Sequence, residues 1–169
     1  TLFTSHLDTA SYSREKVNHV VQGNIIRTDG STILGGDNKA GVTILLYMIS
    51  QSVPGTYYFF IGEERGCLGG RDALQNDPRF FSQFKRAVAF DRKKTGSIIT
   101  HQRFERTCSD AFADALSLEF ADEGMIYQAD PTGVYTDTAI FVDVIPECTN
   151  LSSGVWNEHS TNEYVDIQI

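Results

Sequence analysis

The strongest constraint on the fold is a set of short apolar runs at Leu2–Ser5, Thr56–Ile61 and Ala87–Phe90. Each run has the length and composition of a buried strand. Ser97–Thr100 and Met125–Gln128 are weaker strand candidates. The runs therefore predict strands that lie inside a sheet rather than at its solvent-facing edge.

Helical patterns separate these runs. Helices are predicted over Lys39–Ser50, Gly69–Gln75 and about Asp110–Phe120. A β-hairpin is predicted from Val20–Arg27 to Thr32–Leu34, because the Asp29-Gly30 dipeptide between them is typical of a tight turn. Strands that alternate with helices predict an α/β domain with a mostly parallel or mixed sheet.

Length, charge and cysteine content exclude several classes of protein. The chain has 169 residues, 41% of them hydrophobic, which predicts one domain with a single core. It has no apolar run of about 18 residues and no signal-peptide pattern, so we expect a cytoplasmic protein that does not span a membrane. The net charge of −8 argues against nucleic acid as a partner. Three widely spaced cysteines argue against a disulfide framework and a thiolate zinc site.

Residues with metal-binding chemistry follow the predicted strands and a glycine turn. His6 and Asp8 are two positions apart after the first run, so their side chains face the same way. A metal-bound histidine usually donates its second ring N–H to a carboxylate, and Asp8 is placed for that role. Asp37 follows two glycines at the start of a predicted helix. It is either a helix cap or a carboxylate whose two oxygens face a site.

A second group of polar residues lies further along the chain. Glu63 and Glu64 follow the second apolar run and are bracketed by glycines. They face one site only if the chain leaves strand geometry there; otherwise they form an exposed charged loop. Asp91 ends the third run, and His159 lies in a polar segment, where a histidine is often a surface residue. Two histidines with three carboxylates would form a mixed nitrogen and oxygen ligand set that suits zinc.

Five short motifs, in this order, resemble those of the co-catalytic dizinc peptidase clan. That clan includes zinc aminopeptidases and related carboxypeptidases, dipeptidases and amino-acid deacylases. The motifs span nearly the whole chain and are HLDT at His6–Thr9, GGDNKAG at Gly35–Gly41, GEERG at Gly62–Gly66, FDR at Phe90–Arg92 and NEH at Asn157–His159. The resemblance implies a three-layer α/β/α domain with a mixed, mostly parallel central sheet.

The resemblance also implies a role for each residue that matches a motif. His6 and Asp91 would bind one zinc ion, Glu64 and His159 would bind the other, and Asp37 would bridge the two. The peptide bond after the bridging aspartate would be cis. Two Zn²⁺ ions are the implied cofactors, with Mn²⁺ or Co²⁺ as substitutes.

Further residues would carry or support the reaction. Glu63 would be the general base, and Asp8 would support His6. The segment Gly133–Thr138 resembles the clan's turn near the site, so Tyr135 and Asp137 are candidates for contacting the substrate or stabilising an oxyanion. A tyrosine that only packs against its neighbours is an equal alternative for Tyr135.

The implied function is hydrolysis of a peptide or other amide bond by a zinc-dependent metallopeptidase, most similar to an aminopeptidase-like exopeptidase. Peptides or acyl-amino acids are the expected substrates, and the oligomeric state stays open. An N-acyl amino-acid deacylase and a non-catalytic metal-binding domain are the alternatives. We expect residues 1–169 to form a single catalytic domain without a lid or dimerisation insertion, shortened at both ends relative to the clan.

Overall fold

A computed structural model of the protein describes residues 1–11 and 13–168. The strands are β1 (Leu2–His6), β2 (His19–Gln22), β3 (Ile25–Thr28), β4 (Thr56–Phe60), β5 (Arg86–Arg92), β6 (Ser97–Ile99), β7 (His101–Gln102), β8 (Glu105–Arg106), β9 (Gln128–Asp130), β10 (Glu147–Ser152), β11 (Val155–Trp156) and β12 (Tyr164–Asp166). The helices are α1 (Gly36–Ser50), α2 (Leu68–Asn76), α3 (Pro78–Ser82), α4 (Asp110–Asp122) and a 3₁₀ helix (Asp137–Phe141).

Six strands form the central sheet in the order β4-β1-β5-β10-β6-β9. All neighbours in this sheet are parallel except β10 and β6, which are antiparallel. The expectation of a mixed, mostly parallel sheet is therefore confirmed. A second sheet has four strands in the order β11-β12-β3-β2.

The two faces of the central sheet carry separate apolar clusters. Alternate residues along a strand point to opposite faces, so Leu2 and Ala87 contribute to one cluster while Val88 contributes to the other. The first cluster includes residues of α2 and α3, and the second includes residues of α4. Helices therefore cover both faces, which gives the three layers expected for this fold.

The predicted hairpin exists, but its turn lies elsewhere. β2 and β3 pair through Gln22 and Ile25, so the two residues between them form the turn, and Gly23 has a positive φ of 58°. The prediction that the turn lies at Asp29-Gly30 is wrong, and Thr32–Leu34 is not a strand. The Asp29 carboxylate instead accepts the Ser31 N–H at 3.0 Å, and this local hydrogen bond turns the chain toward α1.

Several elements differ from their predicted bounds or were not predicted. The last weak strand candidate shifts from Met125–Gln128 to Gln128–Asp130, and α1 begins before Lys39. The largest omission is β10, which occupies the middle of the central sheet. All three cysteines are buried and free. Among the residues that the structure describes, no helix is both long and apolar enough to cross a bilayer.

Candidate metal centre

The carboxyl ends of three neighbouring parallel strands bring the predicted residues to one edge of the central sheet. His6 is the last residue of β1, Asp91 lies near the end of β5, and Glu63 and Glu64 follow β4. Asp37 lies at the start of α1, where its backbone is not helical and its peptide bond to the next residue is cis, as the resemblance implies. This edge is where open α/β sheets place their ligands.

Asp37 is not a helix cap. Gly35 occupies the capping position with a positive φ of 72°, and no side chain caps the helix. The Asp37 carboxylate is therefore free of the local hydrogen bond that a capping role would require. Its two oxygens point instead toward two different histidines.

Three side chains form what we call the inner triad: His6, Asp37 and Asp91. His6 Nε2 lies 3.0 Å from Asp37 Oδ1 and 3.1 Å from Asp91 Oδ1. The His6 side chain is only 1% exposed and that of Asp91 is 7% exposed. One imidazole nitrogen and two carboxylate oxygens therefore converge in a nearly dry environment.

The outer triad consists of His159, Asp37 and Glu64. His159 Nε2 lies 3.1 Å from Asp37 Oδ2 and 3.0 Å from Glu64 Oε1. The His159 side chain is 50% exposed. Asp37 thus belongs to both triads, and each of its oxygens faces one of the two histidines.

The donor atoms of both triads fit a metal ion. In each triad the ligand atoms lie within 4.8 Å of one another, so both are candidate metal-binding groups. Glu64 Oε1 is buried and has no hydrogen-bond partner among the described residues, even though His159 Nε2 is 3.0 Å away. The two atoms are close without forming a directed hydrogen bond. A cation between them would satisfy the lone pairs of both.

No protein-family model matches the chain. The aminopeptidase PepT of Bacillus cereus ATCC 10987 has a similar structure, with a TM-score of 0.76, 16% sequence identity and coverage of 99% of this chain and 76% of that chain. A tripeptidase of Staphylococcus aureus subsp. aureus Mu50 gives a TM-score of 0.78 at 15% identity with the same coverage. The chain has the fold of the co-catalytic zinc peptidases. An aminopeptidase of the archaeon Desulfurococcus kamchatkensis matches over 89% of this chain and 47% of its own, with a TM-score of 0.67 at 17% identity.

One curated relative also matches in sequence. The uncharacterized protein YqjE of Bacillus subtilis (strain 168) is 40% identical over an alignment of 76 residues, which covers 41% of this chain and 20% of that protein. The match thus spans about a fifth of the curated relative's length.

Within this zinc-peptidase fold, Asp8 contacts both sides of the centre. Its carboxylate accepts the backbone N–H groups of Glu63 and Glu64 at 3.1 and 3.2 Å. His6 Nδ1 lies 3.0 Å from the Asp8 carbonyl oxygen and 3.5 Å from its carboxylate. The backbone carbonyl is therefore the nearer partner of the His6 ring. The expected partner of the His6 ring was the Asp8 carboxylate, which lies further away than the carbonyl oxygen, and the hydrogen bonds from the glutamate backbone to Asp8 were not predicted.

Glu63 lies beside the inner triad without belonging to either triad. The chain leaves strand geometry after β4, since Gly62 has a φ of 75°, and both glutamates then face the centre. Glu63 Oε2 is 4.0 Å from His6 Nε2, and its side chain is 12% exposed. Burial, reinforced by the negative charge of Asp91, raises the pKa of Glu63 to about 8.

The protonation of the inner triad reflects its density of negative charge. Burial opposes a charge on His6, but hydrogen bonds to Asp37 and Asp91 outweigh it and raise the pKa of His6 to about 12. Burial also opposes a charge on Asp37, yet its hydrogen bonds with His159 and His6 lower its pKa. Burial raises the pKa of Asp91. Without a cation, the carboxylates therefore hold a proton on the imidazole between them.

Tyr135 and Asp137 occupy different environments. Tyr135 lines a cavity of about 310 Å³ together with Asp37, Glu63 and His159, and its hydroxyl accepts a hydrogen bond from Arg71 at 2.6 Å. Asp137 is 2% exposed and is absent from the cavity lining. Burial raises the pKa of Asp137 to about 7, and the negative charge of Asp91 adds to this effect. Tyr135 can thus reach a molecule in the cavity, whereas Asp137 is buried and does not line it.

Three residues near the centre were missed by sequence reasoning. The Thr136 hydroxyl donates to Asp91 Oδ2 at 2.5 Å, which leaves Asp91 Oδ1 for His6. The Asn150 side chain accepts the Asp91 N–H at 2.9 Å. Glu163 is buried, and its carboxylate accepts the backbone N–H groups of Gly35 and Asp37. Thr136 lies within the Gly133–Thr138 segment that resembles the clan's turn, and Glu163 is an acid four positions after His159, whereas Asn150 had no sequence signal.

Proposed function

We propose that this chain is the catalytic domain of a zinc-dependent metallopeptidase, an aminopeptidase-like exopeptidase that uses two metal ions. The observation that carries the proposal is the position of Asp37. Each of its two carboxylate oxygens lies about 3 Å from the Nε2 atom of a different histidine. A carboxylate shared between two groups that each contain a histidine suits a pair of metal ions held a few ångströms apart.

The inner triad would hold one Zn²⁺ and the outer triad the other. The carboxylates of Asp37, Asp91 and Glu64 would offset three of the four positive charges of two Zn²⁺ ions. The bound ions would supply Lewis acidity and lower the pKa of a water molecule from 15.7 to about 7. Mn²⁺ and Co²⁺ accept the same ligand types and would be functional substitutes.

Glu63 is the residue we assign to proton transfer. Its carboxylate lies 4.0 Å from His6 Nε2, lines the cavity and belongs to neither triad, although it is also within 4.8 Å of ligand atoms of His6 and Glu64. It would take the proton of the attacking water and pass it to the leaving amine. Asp8 would hold the Glu63 backbone through the hydrogen bond from its N–H. Tyr135 lines the same cavity and would contact the substrate there.

A peptide is the proposed substrate. The solved structures with this fold include one named an aminopeptidase and one named a tripeptidase. Their names describe those proteins, and this chain covers 76% of each. A short peptide with a free amino terminus is therefore the first substrate to test, and an N-acyl amino acid is the comparison substrate.

The test combines metal analysis with a matched pair of variants. Purified protein should contain two metal ions per chain and should release amino acids from leucyl or alanyl peptides, and a chelator should abolish this activity. Glu63→Gln should keep both metals and lose about 10²- to 10⁴-fold in kcat. Glu119→Gln, on the exposed side of α4, is the control and should behave as the wild type.

Three results would contradict parts of this proposal. A fully active Glu63→Gln variant would exclude Glu63 as the base. Hydrolysis of acyl-amino acids without hydrolysis of peptides would identify a deacylase. Two bound metals without hydrolysis of either substrate class would identify a metal-binding domain that is not catalytic.

A further inference from the structure

Glu163 is a buried carboxylate next to the metal centre that the proposed reaction does not use. Its side chain is among the largest that are fully buried, at 1% exposure. Glu163 Oε2 accepts the Gly35 N–H at 2.7 Å, and Oε1 accepts the Asp37 N–H at 2.8 Å. Within residues 1–11 and 13–168, no basic side chain lies within 4.0 Å of it. Two backbone N–H groups therefore take the place of a salt-bridge partner.

The segment that Glu163 contacts is the one that carries Asp37. Gly35 has a positive φ of 72°, so the backbone turns sharply there before α1. A Cβ atom on Gly36 would lie 2.6 Å from Val165 Cγ2 and 3.4 Å from Glu163 Oε1. The glycine is needed because the backbone passes directly against the segment that contains Glu163. The two hydrogen bonds thus fix both ends of a closely packed three-residue turn.

The same residue is joined to the outer triad through the chain. Glu163 lies four positions after His159, and its N–H donates to the Ser160 carbonyl at 3.1 Å. β12 begins at the next residue and pairs with both β11 and β3. The second sheet therefore holds Glu163 in place, and Glu163 in turn connects the His159 segment to the turn before Asp37.

We infer that Glu163 is a positioning residue. It holds the Asp37 backbone so that one carboxylate oxygen of Asp37 faces His6 and the other faces His159. It touches neither the metal ligand atoms nor the cavity; it acts through the Asp37 backbone. This inference rests on the proposed two-metal function. Residues that orient metal ligands in this way typically contribute about 10- to 100-fold to metal affinity or activity.

Replacing the Glu163 carboxylate should change the position of Asp37 more than it lowers the stability of the fold. In Glu163→Gln, one side-chain oxygen can still accept an N–H, but the amide NH₂ group must face the other N–H donor. One of the two hydrogen bonds is lost, and the turn shifts at one end. Glu163→Asp keeps both acceptors on a shorter side chain and should lie between Gln and the wild type.

Glu147→Gln is the matched control. The Glu147 carboxylate also accepts two hydrogen bonds, from the Ser109 N–H at 2.7 Å and the Ser109 hydroxyl at 2.8 Å. It lies at the start of β10, and Asn150 near the metal centre lies further along the same strand. A purely structural loss should therefore lower stability in both variants, whereas only Glu163→Gln should alter metal binding.

The experiment measures Zn²⁺ binding by calorimetry, thermal unfolding in chelator, and kcat and KM on a peptide substrate. Glu163→Gln should bind Zn²⁺ about 10- to 100-fold more weakly, with kcat lowered and KM little changed, and Glu163→Asp should recover part of both. If Glu163→Gln does not fold, the same readouts on Glu163→Asp decide. The inference would be overturned if the Glu163 variant that folds binds Zn²⁺ as tightly as the wild type and has the same kcat. If the wild type binds two Zn²⁺ ions but hydrolyses nothing, the proposed function fails, and the calorimetry still tests Glu163.

Discussion

The inner and outer triads share Asp37 but differ in how the fold supports them. The inner triad sits on the ends of β1 and β5, and its histidine side chain is 1% exposed. The outer triad takes its histidine from a loop, where His159 has a positive φ of 62° and a side chain that is 50% exposed. The histidine of the inner triad thus belongs to the central sheet, and the histidine of the outer triad belongs to a partly exposed loop.

In the proposed two-metal centre, this difference would separate ligands that also stabilise the fold from ligands that mainly bind the ion. Charges in the inner triad are removed from water, so each depends strongly on its partners. In the outer triad the His159 side chain is half exposed, so solvent screens its charge and its loss should have a smaller effect on stability. We therefore expect the inner position to bind its ion more tightly and to exchange it more slowly.

The largest effect should follow from removing the residue common to both triads. Asp37→Ala should abolish binding of two Zn²⁺ ions and lower kcat/KM by at least about 10³-fold, because metal ions contribute several kcal/mol of transition-state stabilisation. Metal analysis and peptide hydrolysis measure this effect. Asp114→Ala, on the exposed face of α4, serves as the control. Retention of two bound ions would show that Asp37 is not shared.

The next effect compares the two histidines directly. In chelator, His6→Ala should destabilise the fold by about 3–5 kcal/mol, because it leaves the Asp37 and Asp91 carboxylates buried without their partner. His159→Ala should cost about 0–1 kcal/mol, as for a partly exposed pair. Urea unfolding measures both, with the exposed His19→Ala as a control. Equal losses for His6→Ala and His159→Ala would remove the distinction between the triads.

A smaller effect should appear in the order in which a chelator removes the two metal ions from the inner and outer triads. Titration of a Co²⁺-loaded chain with chelator, followed by absorbance, should show two phases that differ by about tenfold or more in affinity, as expected for ligand sets that differ in burial. The His159→Ala variant should lack only the weaker phase. A single phase in the wild type would mean that both ions are held as one unit.

The smallest effect should come from Asp8, which contacts both halves. Asp8→Asn keeps an oxygen acceptor but loses the charge that faces the Glu63 and Glu64 N–H groups. Loss of one charge-assisted hydrogen bond is worth about 1.5–3 kcal/mol, and partial retention should limit the fall in kcat to about tenfold. Steady-state kinetics with unchanged metal content would fit this role, whereas loss of one ion would make Asp8 part of a binding group.

A contrast between strands also explains how much of the fold could be predicted from the sequence. β1, β4 and β5 are apolar runs with a local signal, and all three were predicted. β10 was missed because Glu147–Ser152 is polar in sequence although most of it is buried. Its buried Thr149 hydroxyl donates to the Ile99 carbonyl at 2.8 Å, a partner that no local pattern reveals. The hairpin turn was misplaced because two glycine turns competed and only packing decides between them.

The prediction of the candidate site from the sequence had similar limits. Four of the five predicted metal ligands follow a strand or a glycine turn, and His159 lies in a polar loop; the structure brings all five together. Thr136, Asn150 and Glu163 act on backbone or carboxylate atoms that are far away in the sequence. Their roles depend on which strands become neighbours, and that information appears only with the sheet order.

The sheet order also has a consequence for biosynthesis. β10 lies between β5 and β6, although it is made more than fifty positions after β5 begins. Until β10 emerges from the ribosome, one side of β5 has unpaired peptide groups, and such an open border invites pairing with other nascent chains. The histidine of the outer triad follows a few residues later. Completion of the central sheet therefore depends on a strand that the ribosome delivers late, and β5 remains an edge strand on that side until β10 pairs with it.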